Sequence, residues 1–188
     1  MEGAGTHAAR AARLAARWRV PVYVTAAATY AGVEKDVADL GRLAGRPQPT
    51  RETLRRMGNA LAAVRRAVRG RPAPRVFVVV WDRPLMTAGG ASFLGDLVRL
   101  AGGQNVAERI GQSYPAYSPE RLLRDQPDVI LTGAGRTPPA LPGGSALRAV
   151  RRRRVCAVTG DLTDRPGPRL GLGLLAVARA IHPEAFAR

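Results

Sequence analysis

The residue types that usually perform catalysis or bind metal ions are scarce in this chain and far apart. The single cysteine, Cys156, lies in an apolar strand pattern, where a lone cysteine is usually a small core residue. The two histidines, His7 and His182, lie near opposite ends of the sequence. A reactive cysteine needs a neighbouring base, and a metal site needs several ligands at suitable spacing. The sequence therefore predicts no nucleophile, no disulfide and no metal site.

Two further patterns are weak candidates for chemistry. The Gly-Ala-Gly run at 133–135 follows a predicted strand, as a dinucleotide-binding loop would, but the prolines at 138–142 prevent the helix that must come next. Asp161 and Asp164 have no clear acid–base partner, and no phosphate loop of the form GxxxxGK[ST] is present. We therefore expect neither enzymatic activity nor a bound cofactor.

Three polar loops are better candidates, for binding rather than for catalysis. They cover residues 81–90, 113–120 and 161–169, and each is expected at the end of a strand or the start of a helix. Open α/β sheets bind ligands at the carboxyl ends of their strands. Two tyrosines beside a proline in the second loop are equally consistent with a rigid, well-packed turn, so the residues alone leave both interpretations open.

Hydrophobic periodicity predicts the elements that position these loops. Helices are predicted at 7–18, 31–44, about 50–69, 91–101, from Ser118, at 146–150 and at 168–181. Strands are predicted at 20–24, 75–81, 128–132 and 155–158. The helix at 50–69 has one continuous apolar seam, and the strand at 75–81 is a β-branched run typical of a strand buried on both faces. Strands alternating with helices predict an α/β fold with a parallel sheet.

The charge of the chain leaves a nucleic-acid alternative open. The net charge is +16, from 30 basic and 14 acidic residues. Lys35 is the only lysine, and the arginines are spread over every predicted helix instead of one face. The one cluster, Arg151–Arg154, is best interpreted as a solvated turn, with a phosphate or anionic-lipid contact as the lesser alternative. An Arg-rich nucleic-acid-binding α/β domain remains an alternative, but specific binding is not expected.

The amino-terminal residues and the apolar runs bear on localisation. No apolar run reaches the roughly 18 residues that a membrane-spanning helix needs. Residues 1–19 are rich in Ala and Arg and lack the apolar core of a secretory signal. The chain as given is therefore expected not to span a membrane and to be cytoplasmic if expressed in this form.

Four segments in order give the sequence a family resemblance. After the long helix come RVFVVVWDRPLMTAGGASFLGDLVRLAGGQNV, YPAYSPERLLRDQPDVIL, LRAVRRRRVCAV and RPGPRLGLGLLAVARAIHPEAF. From about residue 10 to the end, this order resembles the periplasmic binding proteins that deliver cobalamin, haem and ferric siderophores to ABC importers. The resemblance implies two Rossmann-like lobes joined by one long helix. It implies a truncated amino-terminal lobe at 1–47, an interlobe helix at 48–71 and a carboxyl-terminal Rossmann-like lobe at 72–188.

The resemblance also implies a function and a set of site residues. The chain would capture a metal chelate and deliver it to a permease. Cobalamin is the first choice, because Tyr114-Pro115 matches an aromatic–proline pair of cobalamin binders, and a ferric siderophore or haem is the alternative. Full-length members are periplasmic or on the cell surface. The implied ligand-binding residues are Trp81, Met86, Thr87, Tyr114, Tyr117, Asp161, Leu162, Arg165 and Arg169.

Two kinds of charged residue have implied roles at this site. Arg165 and Arg169 would meet carboxylate or phosphate groups of the ligand. Glu120 would dock onto arginines of the permease. For Glu120 the alternative is simple complementarity to the helix dipole at the start of a helix.

Overall fold

The protein is described here by a computed structural model. It describes residues 4–25, 27–133, 141, 143–158, 160–163 and 165–187, with side chains from residue 9 onward except at 161. The helices are α1 (Ala4–Trp18), α2 (Tyr30–Leu43), α3 (Pro47–Val68), α4 (Phe93–Leu100), α5 (Pro119–Asp125), α6 (Arg148–Arg151), α7 (Gly160–Thr163) and α8 (Leu170–Ile181), with 3-10 turns at Gly144–Ala146 and Pro183–Ala185. The strands are β1 (Arg75–Asp82), β2 (Leu85–Thr87), β3 (Gln104–Asn105), β4 (Val129–Gly133) and β5 (Val155–Val158).

Local sequence signals set several of the helix ends. Thr29, Ser92 and Ser118 precede α2, α4 and α5, and the side chain of each accepts a hydrogen bond from the backbone N–H three residues later, at 3.0, 3.1 and 3.2 Å. Gly45, with φ of +62°, follows the end of α2, where a left-handed residue closes a helix most easily. Pro47 then occupies the first turn of α3, where its missing N–H costs nothing.

The sheet is mixed, with parallel strands at its centre. Its order is β2-β1-β4-β5, and β3 also pairs with β1. The parallel register places Val76 of β1 beside Val129 of β4, and Ile130 of β4 beside Val155 of β5. The edge strand β2 runs antiparallel to β1, in contrast to the parallel pairing that the sequence pattern predicts. Only residues 83–84 separate the two strands, and a connection this short can join only antiparallel neighbours.

The strand predicted at 20–24 is wrong. Residues 20–25 have no strand partner within the described part of the chain. The β-branched residues there favour an extended backbone, but a strand exists only beside another strand. The other predicted elements are present with shifted ends, and the helix predicted at 146–150 divides into a 3-10 turn and α6.

Two apolar clusters cover the two faces of the sheet. Alternate residues of β1 point to opposite faces, so Val76 and Val78 belong to one cluster and Phe77 and Val79 to the other. The first cluster is completed by α2, α3, α4 and α8, and the second by α5 and the region of α6. The carboxyl edge of β1, β4 and β5 remains between these layers.

The helices on the first face are locked to one another at Tyr30. The Tyr30 hydroxyl donates to the Met57 carbonyl oxygen at 2.9 Å, and its backbone N–H donates to the Asp96 carboxylate at 2.7 Å. Gly171 lets α8 approach closely, because a Cβ atom there would lie 3.2 Å from both Ala60 Cβ and the Tyr30 hydroxyl. These contacts join α2, α3, α4 and α8 into one layer.

The amino edge of the sheet contains an acidic group with a lowered pKa. Burial alone would raise the pKa of Asp128, but the backbone N–H of Arg75 at 3.0 Å and the guanidinium of Arg148 at 2.9 Å outweigh it, so the pKa is lowered overall. The ionised form of Asp128 is therefore the one that the folded protein stabilises.

We expect the protein to lose stability as acid protonates Asp128. Because the pKa is lower in the folded state, the stabilisation is present above the ordinary carboxyl pKa of about 4 and is lost as the pH falls through the folded-state pKa. Asp128→Asn should lower the Tm at neutral pH and weaken the fall of Tm in acid. The matched control is Glu52→Gln, an exposed acid on α3. An acid dependence in Asp128→Asn as steep as that of the wild type would contradict this account.

Candidate functional site

A cavity of about 370 Å³ opens at the carboxyl edge of the parallel strands. Its walls come from the ends of β1, β4 and β5, from one side of α4 and from α8. The lining residues are Val78, Val79, Val80, Trp81, Phe93, Leu94, Val98, Tyr114, Leu131, Thr132, Gly133, Val158, Thr163 and Val177. Most are aliphatic or aromatic, and the position is the one where open α/β sheets bind ligands.

Backbone pairing brings the first two predicted loops together at this cavity. The segment 113–117 runs beside β2: the Thr87 N–H donates to the Pro115 carbonyl at 3.1 Å, and the Gly89 N–H donates to the Ser113 carbonyl at 2.9 Å. Residues 24 and 28 positions apart in the sequence thus form one rim. The edge strand β2, which the sequence did not predict, is what holds the two loops in this arrangement.

Trp81 and Tyr114 stand at the rim in different environments. The indole of Trp81 is 49% exposed, and its Nε1 donates to the Arg83 carbonyl at 2.8 Å. Tyr114 is half-buried and packs against the core cluster that α3 and α8 cover. Trp81 is therefore fixed in orientation and still open to solvent, as a surface that receives an apolar ligand must be.

Tyr117 lies elsewhere, in the core on the other face of the sheet. It is 4% exposed, and its ring meets the Phe77 ring edge-on with centroids 5.2 Å apart. Its hydroxyl is hydrogen-bonded to Asp125, and the Arg121 guanidinium lies 4.9 Å from the ring centroid. Burial and the Asp125 carboxylate raise the pKa of this phenol to about 12. Tyr117 therefore fits the interpretation as a rigid, well-packed turn, whereas Tyr114 lies at the rim of the cavity.

The remaining predicted ligand residues with described side chains do not line the cavity. Thr87 is fully buried, and its hydroxyl has no hydrogen-bond partner within the described part of the chain; Met86 is half-buried. Leu162 is half-buried, while Arg165 and Arg169 are exposed. Asp161 was also predicted to bind ligand, but its side chain is outside the part of the chain that the structure describes.

Several lining residues were not among the predicted ones. Thr132 and Gly133 end β4, so the rule that ligands bind at strand ends would have found them. Thr163 belongs to α7, a short helix that overlaps the start of the segment predicted as the third loop. Phe93 and Leu94 lie on the apolar side of α4, and only the three-dimensional packing shows that this side also borders a cavity.

The described residues offer this site hydroxyl and apolar groups but no cluster of metal ligands. Within them, no group of three or more His, Cys, Asp and Glu side chains could hold a metal ion. None of the helices described is both long enough and apolar enough to cross a bilayer. The cavity can therefore bury a mostly apolar surface against aromatic rings, with hydroxyls near by to orient it.

Sequence comparison gives a consistent set of relatives. The sequence model of the family described as "Periplasmic binding protein" matches residues 10–155. A cobalamin-binding protein of Halobacterium salinarum is 31% identical over 170 residues, which is 84% of this chain and 46% of the relative. A vitamin B12-binding protein of Vibrio parahaemolyticus is 25% identical over 155 residues, which is 80% of this chain and 56% of the relative. The chain thus spans about half the length of the curated relatives it matches.

Solved structures share the fold. The periplasmic vitamin B12 binding protein of Vibrio cholerae superposes with a TM-score of 0.78 at 22% identity, covering 94% of this chain and 71% of the other. A periplasmic heme-binding protein from Roseiflexus gives a TM-score of 0.78 at 24% identity, covering 93% and 71%. These relatives bind solutes, so the nucleic-acid alternative is not supported. The chain belongs to the periplasmic binding protein family, whose members bind solutes and are not enzymes.

Proposed function

We propose that this chain is part of the substrate-binding component of an ABC importer, and that it captures a metal chelate and delivers it to the permease outside the cytoplasm. The observation that carries the proposal is the pair Trp81 and Tyr114, held at the rim of an apolar cavity at the carboxyl edge of the sheet. The two cobalamin-binding relatives and the Tyr114-Pro115 pair favour cobalamin. Haem and ferric siderophores are the alternative ligands.

The rim suits a large ligand with apolar surface. Aromatic rings bury much area at little cost in conformational entropy, since each has only two side-chain torsions. Pro115 is buried and paired with β2, so Tyr114 is held by a rigid backbone. The Thr132 and Thr163 side chains add polar groups that can orient the ligand. In this arrangement Trp81 and Tyr114 contact the ligand directly.

The other implied residues have more peripheral proposed roles. Met86, Thr87 and Tyr117 support the rim from beneath, through β2 and the segment 113–117. Leu162 and Asp161 belong to α7, which borders the cavity through Thr163, and Arg165 and Arg169 follow it as exposed cations able to meet carboxylate or phosphate groups of the chelate.

Titration of the 188-residue chain with cobalamin, haem and ferric siderophores tests the proposal. If the ligand lies between two lobes, one lobe buries only part of it, and we expect binding no tighter than micromolar. Tyr114→Ala should weaken cobalamin binding further, because it removes a rim ring. The aromatic control is Tyr23→Ala, an exposed ring outside the cavity.

Three results would contradict parts of this proposal. Sub-micromolar binding of any of the ligands would contradict the expectation that this chain buries only part of the ligand. Equal losses in Tyr114→Ala and Tyr23→Ala would remove the cavity as the site. A clear preference for haem or for a ferric siderophore would replace cobalamin as the ligand.

Glu120 is the proposed contact with the permease. It is exposed in the first turn of α5, and its own backbone N–H and the Ser118 hydroxyl lower the pKa of its carboxyl, so it is ionised. The other end of α5 lies at the amino edge of the sheet, where Asp125 pairs with Arg75 at 3.2 Å. Glu120 therefore lies nearer the carboxyl edge, which is the edge that carries the cavity.

A further inference from the structure

A polar cavity of about 340 Å³ lies at the amino edge of the sheet, and we call it the arginine cavity. Its walls come from the start of β1, from β3 and the turn that follows it, and from α5. The charged side chains that line it are Arg75, Arg109, Arg121, Asp125 and Glu108. Because α5 covers the second face of the sheet, this cavity lies on the side away from α2 and α3.

The arginine cavity is separate from the cavity at the carboxyl edge. Arg75 is the first residue of β1, and Trp81, at the rim of the other cavity, lies six positions later in the same strand. At about 3.3 Å per residue, roughly 20 Å of strand separates these two residues. A ligand in one cavity therefore does not touch the walls of the other.

One carboxylate, that of Asp125, holds two of the three arginines in place. The Arg75 Nε donates to the Asp125 carbonyl oxygen at 3.0 Å, and its Nη2 donates to the Asp125 carboxylate at 3.2 Å. The other carboxylate oxygen accepts from the Tyr117 hydroxyl and lies 3.6 Å from the Arg121 Nε. Both oxygens of Asp125 are thus engaged, and the Arg75 and Arg121 guanidiniums are fixed beside them.

The three arginines keep unused N–H donors. A guanidinium carries five donors in one plane. Within the described residues Arg121 makes no hydrogen bond through its guanidinium, which lies over the Tyr117 ring, 4.9 Å from the centroid. Contact with a ring occupies the face of a guanidinium and leaves its N–H edge unused. Arg109 is exposed and has no ion-pair partner among the residues that the structure describes.

We propose that the arginine cavity binds a phosphate group, as inorganic phosphate or as the phosphate of a small monoester. Planar guanidinium groups bind phosphate and carboxylate through paired, charge-assisted hydrogen bonds. A carboxylate presents two oxygens in one plane, whereas a phosphate presents oxygens in at least three directions. Arg75, Arg109 and Arg121 reach the cavity from three separate elements, so the phosphate matches their arrangement better. The net charge of +16 also attracts anions to the chain.

Isothermal titration of the full 188-residue chain with inorganic phosphate, in a chloride-poor buffer near neutral pH, is the first test. We expect one saturable site with a Kd on the order of 1 mM or tighter. Arg109→Gln should weaken binding about tenfold, because it removes charge-assisted hydrogen bonds without breaking an ion pair of the fold. The matched control is Arg55→Gln on α3, an exposed arginine whose loss lowers the net charge equally and should leave the Kd unchanged.

Two outcomes of this titration would overturn the proposal. Equal losses in Arg109→Gln and Arg55→Gln would show that the net charge of the chain, and not the cavity, attracts the anion. A titration of the wild type that shows no saturation would show that the cavity holds no phosphate.

A second titration tests the guanidinium geometry at constant charge. Arg121→Lys keeps the positive charge but replaces the planar group by a point charge, so phosphate binding should again weaken about tenfold. Arg55→Lys is the control, and circular dichroism checks the folding of both variants. Acetate should bind the wild type at least about tenfold more weakly than phosphate does. An unchanged Kd in Arg121→Lys would overturn recognition by the guanidinium edge, and equal affinities for acetate and phosphate would overturn phosphate as the ligand class.

Discussion

Replacing Phe77 by alanine is expected to lower the free energy of unfolding by about 3–5 kcal/mol. Phe77 is fully buried in the middle of β1, and its ring contacts the Tyr117 ring at 5.2 Å. The substitution leaves a cavity and removes the ring contact that Tyr117 makes with the sheet. Domains of this size have unfolding free energies of about 5–15 kcal/mol. Mesophile domains unfold at about 45–65 °C. The variant should therefore unfold at a much lower temperature, close to about 37 °C.

Urea unfolding followed by circular dichroism measures this effect. The control is Leu172→Ala, which also removes a large apolar side chain, but one that is 56% exposed on α8. Its unfolding free energy should change by no more than about 0.5 kcal/mol. Similar losses for the two variants would show that burial in the second cluster does not stabilise the fold as described.

Glu120→Gln should reduce permease-dependent uptake by about tenfold while leaving ligand affinity unchanged. The substitution keeps the shape of the side chain and removes the charge that would meet permease arginines. The experiment uses a chimeric two-lobed protein, in which this chain is joined to the amino-terminal half of a related binding protein, together with a permease that accepts it. Transport of labelled ligand and stimulated ATP hydrolysis are the measurements.

The same experiment separates docking from helix stabilisation. The control is Glu108→Gln, an exposed acid outside the helices. If Glu120 acts only on the helix dipole, its substitution will lower the Tm slightly and leave uptake untouched. Loss of uptake in the Glu108 variant as well would indicate a general effect of charge instead of a specific contact.

Much of the fold follows from periodicity in the sequence. The apolar seam of α3 and the β-branched run of β1 are strong signals, and both elements are present. The missing strand at 20–24 shows the limit of this reasoning. A strand forms only beside another strand, and the sequence of residues 20–24 alone does not determine whether a partner strand is present. The edge strand β2 is only three residues long, too short for alternation to be recognised.

The site is harder to predict because it depends on which face each residue takes. Tyr114 and Tyr117 flank the same short polar stretch in the sequence, yet one lies at the cavity and the other in the opposite core cluster. Tyr114 lies in a bend, whereas Tyr117 follows the bridge between Met86 and Ala116. The path of the segment past β2, which the sequence does not state, therefore decides which tyrosine reaches the cavity.

The high arginine content suggests a polyanion partner, but the structure gives several of these arginines a structural role. Arg154 donates to the carbonyls of Ala180 and Ile181 at 3.3 and 2.7 Å, where it satisfies the end of α8. Arg148 pairs with Asp128 at 2.9 Å. These side chains hold helix ends and strand ends together. Part of the positive charge that suggests a polyanion partner therefore has a structural role.

The packing of α8 on α3 has a consequence for how the chain is made. The entire sheet lies between these helices in the sequence, so the ribosome releases α3 long before its partner exists. Until α8 emerges, the apolar seam of α3 at Met57, Ala60 and Val64 has no cover from it. Contacts between residues so distant in sequence form slowly, and the folding intermediates that precede them are prone to aggregation. A chain whose synthesis stops before residue 170 is therefore expected to be a client of chaperones and proteases.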